Sequence, residues 1–265
     1  MSKQFRPRVA IVTGGGSGLG AALAERLAQA GAHVIVADID VESARATAER
    51  IGKNAEAARV DVSDCKQIAD LVQETKRKHG RLDLMLNNAG ISCCGEILEL
   101  STEDWQRVLQ VNLWGVIAGS IAAYSVMAEQ GSGYIVNMGS MATSLHNPMF
   151  APYVASKCGV VGFTRVLAME AEVHGVQVTA VCPGNIRTAI LKHAEPSRFT
   201  PAIPVEEAAR RILEGVARGR RMIVFPFYAR VAWWLDRLSP KLLNPLRREI
   251  LRRARERRAD SSGDS

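Results

Sequence analysis

A short apolar run that breaks into clustered glycines and then into an amphipathic helix admits few folds. Here it spans Val9 to Gly31: VAIVT, then the glycine-rich TGGGSGLG sharing its threonine, then AALAERLAQA, ending at Gly31. Four apolar residues in a row and a threonine read as a buried strand, and apolar residues recurring at three and four read as a helix packed on one face. Gly31 suits the left-handed residue that ends a helix. The alternation then continues. HVIVADID is a second strand, and 41–51 a helix stopping at Gly52. A third strand over about 56–62 precedes a helix over 64–79, and LDLMLNN, GYIVNMGS, VQVTAVCPG and RRMIVF supply four more strands. Ser101-Thr-Glu-Asp104 resembles a capping box opening a long helix through Met127. Pro152 suits the first turn of another helix. Strands alternating with helices at this spacing predict an α/β fold with a parallel, doubly wound sheet of about seven strands.

One large domain fits 265 residues of ordinary globular composition, 47% hydrophobic and 23% charged. The five cysteines, Cys65, Cys93, Cys94, Cys158 and Cys182, include no CxxC and have no histidine at ligand spacing. Reduced thiols in a cytoplasmic protein, with no metal centre, are the simplest expectation. Adjacent Cys93 and Cys94 read as small loop residues sooner than as a redox pair. The start, MSKQFRPRV, is basic but lacks an apolar run, and no signal peptide is expected. Residues 108–128 carry no charge, which is long enough for a membrane span. Gln110, Asn112, Ser120, Tyr124 and Ser125 argue instead for a helix buried in a core or subunit interface.

The formal charge is +7, and 241–258 holds eight basic residues against two acidic ones. The rest of the chain is therefore near neutral. A nucleic-acid enzyme is expected to spread its basic side chains around its site, so no nucleic-acid partner is predicted. The expected organisation is a domain over 1–225, a basic amphipathic extension over 226–258 and a disordered tail over 259–265. In the extension, Asn244-Pro245 suits an N-cap and first helical position. Leu246, Ile250 and Ala254 follow as a stripe among arginines, and Trp233 and Trp234 precede it. Aromatics beside a basic amphipathic helix suit a bilayer surface, with peripheral contact through 230–258. Contact with a second subunit and packing over the site are the alternatives.

Two local patterns carry chemistry. Gly14, Gly18 and Gly20 lie between a strand and a helix, where backbone N–H groups can face a pyrophosphate at the helix N-terminus. Asp38 closes the second strand, 18 residues after Gly20. A carboxylate there accepts hydrogen bonds from ribose hydroxyls and repels a 2′-phosphate, which favours NAD over NADP. Tyr153 and Lys157 share one face of a helix. A neighbouring ammonium lowers a phenol's pKa and makes it a better proton exchanger.

With Asn112, Ser140, the NNAG of 87–90 and the PGNIRT of 183–188 in order, the chain resembles the short-chain dehydrogenase/reductase family over about 9–225. The resemblance implies a Rossmann-type fold and an oxidoreductase interconverting a secondary alcohol and a ketone, or an alcohol and an aldehyde. It assigns Asn112, Ser140, Tyr153 and Lys157 to catalysis. Tyr153 would exchange the proton, Lys157 would tune it and hold the nicotinamide ribose, Ser140 would hold the substrate oxygen, and Asn112 would keep a water in line with Lys157. It assigns Thr13, Gly14, Ser17, Gly18, Leu19 and Gly20 to the diphosphate loop, with Asp38 and Ile39 at the ribose and Asp61 and Val62 at adenine. Asn87, Asn88, Ala89 and Gly90 would line the cofactor, and Pro183, Gly184, Ile186 and Thr188, with Tyr153 and Lys157, its nicotinamide end. The segment 189–204 would cover the substrate. Met141, Leu145, Met149 and Phe150 suit either a hydrophobic substrate or core packing. A homodimer or homotetramer is implied. A dinucleotide-sensing protein without turnover is the competing function.

Overall fold

The computed structural model describes residues 5–188 and 201–262. One sheet holds β1 (Val9–Thr13), β2 (His33–Asp38), β3 (Ala55–Arg59), β4 (Leu84–Asn87), β5 (Gly133–Met138), β6 (Val176–Pro183) and β7 (Met222–Phe225). Their order is β3-β2-β1-β4-β5-β6-β7, and every neighbouring pair is parallel. This is the doubly wound, Rossmann-type sheet the alternation predicts.

Parallel strands are buried on both faces, so their residues divide between two cores. Ala10, Val12, Val34, Val36, Leu84 and Leu86 meet α1 (Gly18–Gln29), α2 (Val41–Ile51) and α8 (Val205–Ala217) on one side. Ile11, Ile35, Met85, Ile135 and Val178 meet α3 (Cys65–His79), α5 (Gly115–Gln130) and α7 (Ala151–Glu170) on the other. Leu23 and Leu27, one helical turn apart on α1, are both fully buried, each worth about 1.5–3 kcal/mol. Asp40 and Asp64 cap α2 and α3 by accepting from two backbone N–H groups each. Ser101 and Asp104 form the expected capping box at the start of α4 (Thr102–Leu109).

Several boundaries differ from the expectation. The third strand stops at Arg59, so Asp61 and Val62 lie in the loop after it; Asp61 turns that loop by accepting from the N–H and hydroxyl of Ser63. The helix opened at Ser101 reaches Gln130, but Gln110–Trp114 forms a π turn between α4 and α5. That insertion lets Asn112 face inward and Gly115 pass Val62, whose carbonyl oxygen would stand 2.7 Å from an added Cβ. The Thr102–Gln130 stretch is long and apolar enough to cross a membrane, yet half of its most apolar window is buried in the fold.

The chain continues past β7 as α9 (Phe227–Leu238), a tight turn at Pro240–Leu243, and α10 (Asn244–Ser262). Asn244 has helical dihedrals, so it is the joint between turn and helix and not the extended N-cap expected. The helix also runs through 259–262, part of the stretch expected to be disordered, because extending a formed helix costs little. Residues 263–265, and 189–200 of the expected substrate cover, lie outside the described residues.

Candidate active site

Strand order reverses between β1 and β4, which opens a crevice at their C-terminal ends. Thr13 and Asn88 tie the two strands together there. Thr13 Oγ1 accepts from the N–H groups of Asn88 and Ala89 at 3.0 and 3.2 Å, and Asn88 Nδ2 donates to the carbonyls of Thr13 and Gly14. Gly14 has φ +63°, and a Cβ on it would lie 2.9 Å from Ala89 Cα. A Cβ on Gly20 would stand 1.9 Å from the Gly14 carbonyl oxygen. Only glycine fits either place, and the α1 N-terminus is left facing the crevice with no side-chain cap from Ser17. Leu19 anchors the helix below, 8% exposed.

Around this cradle the other expected cofactor residues assemble. Asp38 Oδ2 accepts from Gly16 N at 2.9 Å and Oδ1 from Asp40 N at 3.1 Å. The carboxylate is thus held at the end of β2 with lone pairs to spare. Ile39 follows it, 58% exposed. Thr188 approaches from the far side, its Cγ2 3.5 Å from where a Gly18 Cβ would stand. Pro183 ends β6, its carbonyl accepting from Met141 N, and Gly184 N donates to the Phe225 carbonyl. Ile186, 7% exposed, bridges to Ile203. The donor-rich helix end, the glycine cradle and the pinned acid fit a dinucleotide.

The four expected catalytic residues converge beside it. Tyr153 and Ser140 are both half-buried, and the Ser140 hydroxyl is near enough to the Tyr153 phenol to act on its ionisation. Lys157 is 4% exposed, lies 5.6 Å from the Tyr153 ring centre and donates to the Met138 carbonyl at 2.8 Å. Gly90 joins it to Asn112: a Cβ there would sit 3.6 Å from Lys157 Nζ and 3.3 Å from Asn112 Oδ1. Asn112 is fully buried, and its amide clasps the Ile91 backbone, accepting from N and donating to O, both at 2.8 Å. It also donates to Ser156. The Asn112 side chain thereby shapes the loop after β4.

The electrostatics correct one expectation. Burial pushes the Tyr153 phenol above its ordinary value, and the Ser140 hydrogen bond only partly offsets that. Burial likewise brings Lys157 down to about 8. The ammonium is directed at the Met138 carbonyl, so desolvation of the phenol outweighs its pull.

Other partnerships were not evident in sequence. Asn87, expected to line the cofactor, donates to Ser120 and to Asn137, which donates to Thr164; this buried network joins β4, β5, α5 and α7. Ser156 links Asn112 to the Tyr153 carbonyl. Polar residues at strand and helix positions otherwise buried are the one signal that marks them. Cys93 and Cys94 remain free thiols, and burial raises the Cys93 pKa, which suppresses thiolate chemistry.

The C-terminal extension borders this site. Ala229, Ala232 and Leu243 pack against Met141 and against Leu145 of α6 (Ala142–Leu145). Tyr228 Oη accepts from Asn185 N and donates to the Pro201 carbonyl. Arg247 of α10 donates to the Ser144 and Leu145 carbonyls at 2.7 and 2.9 Å and pairs with Asp236 at 2.7 Å. Arg255 pairs with Glu96 in the loop after β4.

The profile of the short chain dehydrogenase family matches residues 8–198. The chain is 37% identical over 202 residues to a 3-oxoacyl-[acyl-carrier-protein] reductase of Synechocystis sp., covering 75% of this chain and 82% of that one. It is 37% identical over 200 residues to tropinone reductase-like 1 of Erythroxylum coca, covering 74% of each. The crystal structure of gox2181 superposes with a TM-score of 0.78 at 29% identity, covering 83% of this chain and 94% of that one. A short-chain type dehydrogenase/reductase from Mycobacterium marinum gives 0.75 at 29%, covering 82% and 93%. The matched stretch includes the glycine cradle and the cluster of Asn112, Ser140, Tyr153 and Lys157, and this chain belongs to the short-chain dehydrogenase family.

Proposed function

We propose that this oxidoreductase is NAD-dependent and interconverts a hydrophobic secondary alcohol and its ketone, or an alcohol and its aldehyde. One observation carries the reading: Tyr153 and Ser140 lie together beside buried Lys157, whose Nζ is 5.6 Å from the Tyr153 ring centre, at the mouth of the glycine-lined crevice. A nicotinamide dinucleotide held by the residues from Thr13 to Gly20, by Asp38, Asp61, Val62, the loop Asn88–Gly90 and 183–188 supplies the hydride chemistry when bound.

Ser140 holds the substrate oxygen and stabilises charge developing on it. Tyr153 gives its proton to that oxygen in reduction and takes the hydroxyl proton in oxidation. A phenol raised above its ordinary value is protonated at neutral pH, which supports the reductive direction; the reductase names of the relatives support it too. Lys157, at about 8, is mainly cationic at neutral pH and offsets the charge left on Tyr153. Asn112 positions Ile91 and Gly90 against Lys157.

Asp38 supports NAD, since its carboxylate would repel a 2′-phosphate. Met141, Leu145 and Met149, all buried beside the cluster, support an apolar substrate. Exposed Trp114, Ile121, Val166 and Met169 on the outer sides of α5 and α7 support a homodimer or homotetramer. Five free thiols support a cytoplasmic setting. The test is an absorbance screen of NAD⁺ and NADP⁺ against secondary alcohols, and of the reduced forms against ketones. Turnover with NAD that Tyr153→Phe abolishes is expected; tight NADH binding without turnover on any substrate would favour the sensor.

A further inference from the structure

We propose that the outer face of α9 docks this protein onto an anionic lipid surface. This helix has two apolar faces. One belongs to the fold, where Ala229, Ala232 and Leu235 pack with Met141, Leu145 and Leu243. The other is turned to solvent: Phe227 is 76% exposed, Val231 40%, Trp234 58% and Leu238 76%. Spaced by four, three and four residues, they make one stripe along the helix. Leu242 and Leu246, also exposed, carry it past the turn into α10.

Charge is distributed to match. Arg230, Arg237 and Lys241 are exposed on α9 and in the turn after it, and none has a carboxylate partner among the described residues. Along α10, by contrast, Arg252 and Arg253 pair with Glu249, Arg252 also with Glu256, and Arg255 with Glu96. Three cations of the extension with no carboxylate partner among the described residues therefore sit on the helix that carries the stripe or in the turn after it. Trp233 meets Trp234 edge-on at 5.2 Å and lies under the Arg237 guanidinium at 4.7 Å. Paired tryptophans, aliphatic side chains and a basic rim on one helix face suit the headgroup layer of an anionic leaflet.

A second copy of the chain suits this face poorly. A two-fold contact through the stripe would gather two sets of its three cations at one interface. The outer sides of α5 and α7 offer an apolar surface without that penalty. Docking through α9 also has a consequence for the site. Tyr228, on the same helix, holds the loop at Asn185, and Met141 next to Ser140 packs against α9. The cleft would open next to the lipid, so an alcohol or ketone dissolved in the bilayer could enter. That consequence rests on the proposed carbonyl chemistry; the docking does not.

The test is co-sedimentation of the full chain with vesicles of phosphatidylcholine alone or mixed with phosphatidylglycerol. Wild type, Trp234→Glu/Leu238→Glu and Arg230→Glu/Lys241→Glu are compared, with circular dichroism melting and size exclusion in parallel. Wild type is expected to prefer the mixed vesicles, and the first variant to bind them at least about tenfold more weakly. The second is expected to lose roughly fivefold per charge removed, an effect that salt erases. Folding and oligomeric state are expected to stay unchanged, since every substituted side chain is exposed. Wild type remaining in the supernatant, no preference for anionic lipid, or variants binding as wild type would overturn the proposal. So would a smaller oligomer in the Trp234→Glu/Leu238→Glu protein, which would assign the face to a second copy. Vesicle binding as expected, with no turnover on any alcohol or ketone, would instead remove the proposed chemistry and leave the docking standing.

Discussion

Replacing Arg247 by alanine should unfasten the C-terminal extension from the active-site wall. The guanidinium and the Asp236 carboxylate are only 15% and 17% exposed, so their pairing is poorly screened. Removing one member of a fully buried pair costs about 3–5 kcal/mol. Water reaching this pair lowers that to about 2 kcal/mol. The Ser144 and Leu145 carbonyls at the end of α6 also lose their donor, at roughly 0.5 kcal/mol each if water replaces it in part. The total, about 3 kcal/mol, corresponds to a fall in Tm of roughly 6–12 °C for a chain of this size. The assay is calorimetry together with limited proteolysis, because an extension that detaches alone is cut before the body melts. Asp236→Leu/Arg247→Met, which removes both charges, should recover most of the loss. A single variant that melts within about 2 °C of wild type and resists protease equally would refute the reasoning.

Tyr153→Phe is expected to leave dinucleotide binding unchanged by fluorescence titration and to lower kcat by about a hundred- to ten-thousandfold; near-normal turnover would remove Tyr153 from its role. With Lys157 brought to about 8 by burial, activity that needs its cation should fall as pH climbs through about 8, a limb that Lys157→Met would abolish. The same shift acts on stability: the unfolded chain keeps this proton up to the ordinary 10.5, so it binds more protons across that window and stability should rise with pH between about 8 and 10.5. Urea midpoints of wild type and Lys157→Met that change in parallel there would contradict a buried, depressed lysine. Arg59 stands opposite Asp38 in the β2–β3 register, so Asp38→Ser should raise kcat/KM for NADP relative to NAD, while an unchanged ratio would remove Asp38 from cofactor choice. Gly20→Ala should abolish dinucleotide binding in titration, because its methyl carbon collides with the Gly14 carbonyl.

Much of the fold was legible because it is written in local periodicity. The first four residues of VAIVT are apolar because β1 is covered on both faces, and all five residues are buried. The glycines announced themselves because no side chain fits their backbone, and Tyr153 and Lys157 because one helical turn places them together. Harder to read were features that depend on what lies across the sheet. Nothing near Asn112 in the chain says that its amide meets Ile91 or that the helix inserts a π turn there. The Tyr153 pKa also escaped a pairwise reading, since the phenol's loss of water outweighs a neighbour four residues away.

Taken alone, the sequence determined the strand order's raw material, the glycine cradle, Asp38 and the pairing of Tyr153 with Lys157, since each is set by residue type and spacing within a few turns of chain. Only the tertiary structure decided where the basic extension goes. Its inner side chains pack on Met141 and Leu145, and Arg247 reaches carbonyls about a hundred residues away in sequence. Those contacts leave Phe227, Val231, Trp234 and Leu238 outside. An amphipathic pattern specifies that a helix buries one face; which face, and against what, is chosen by the shape of the body it meets.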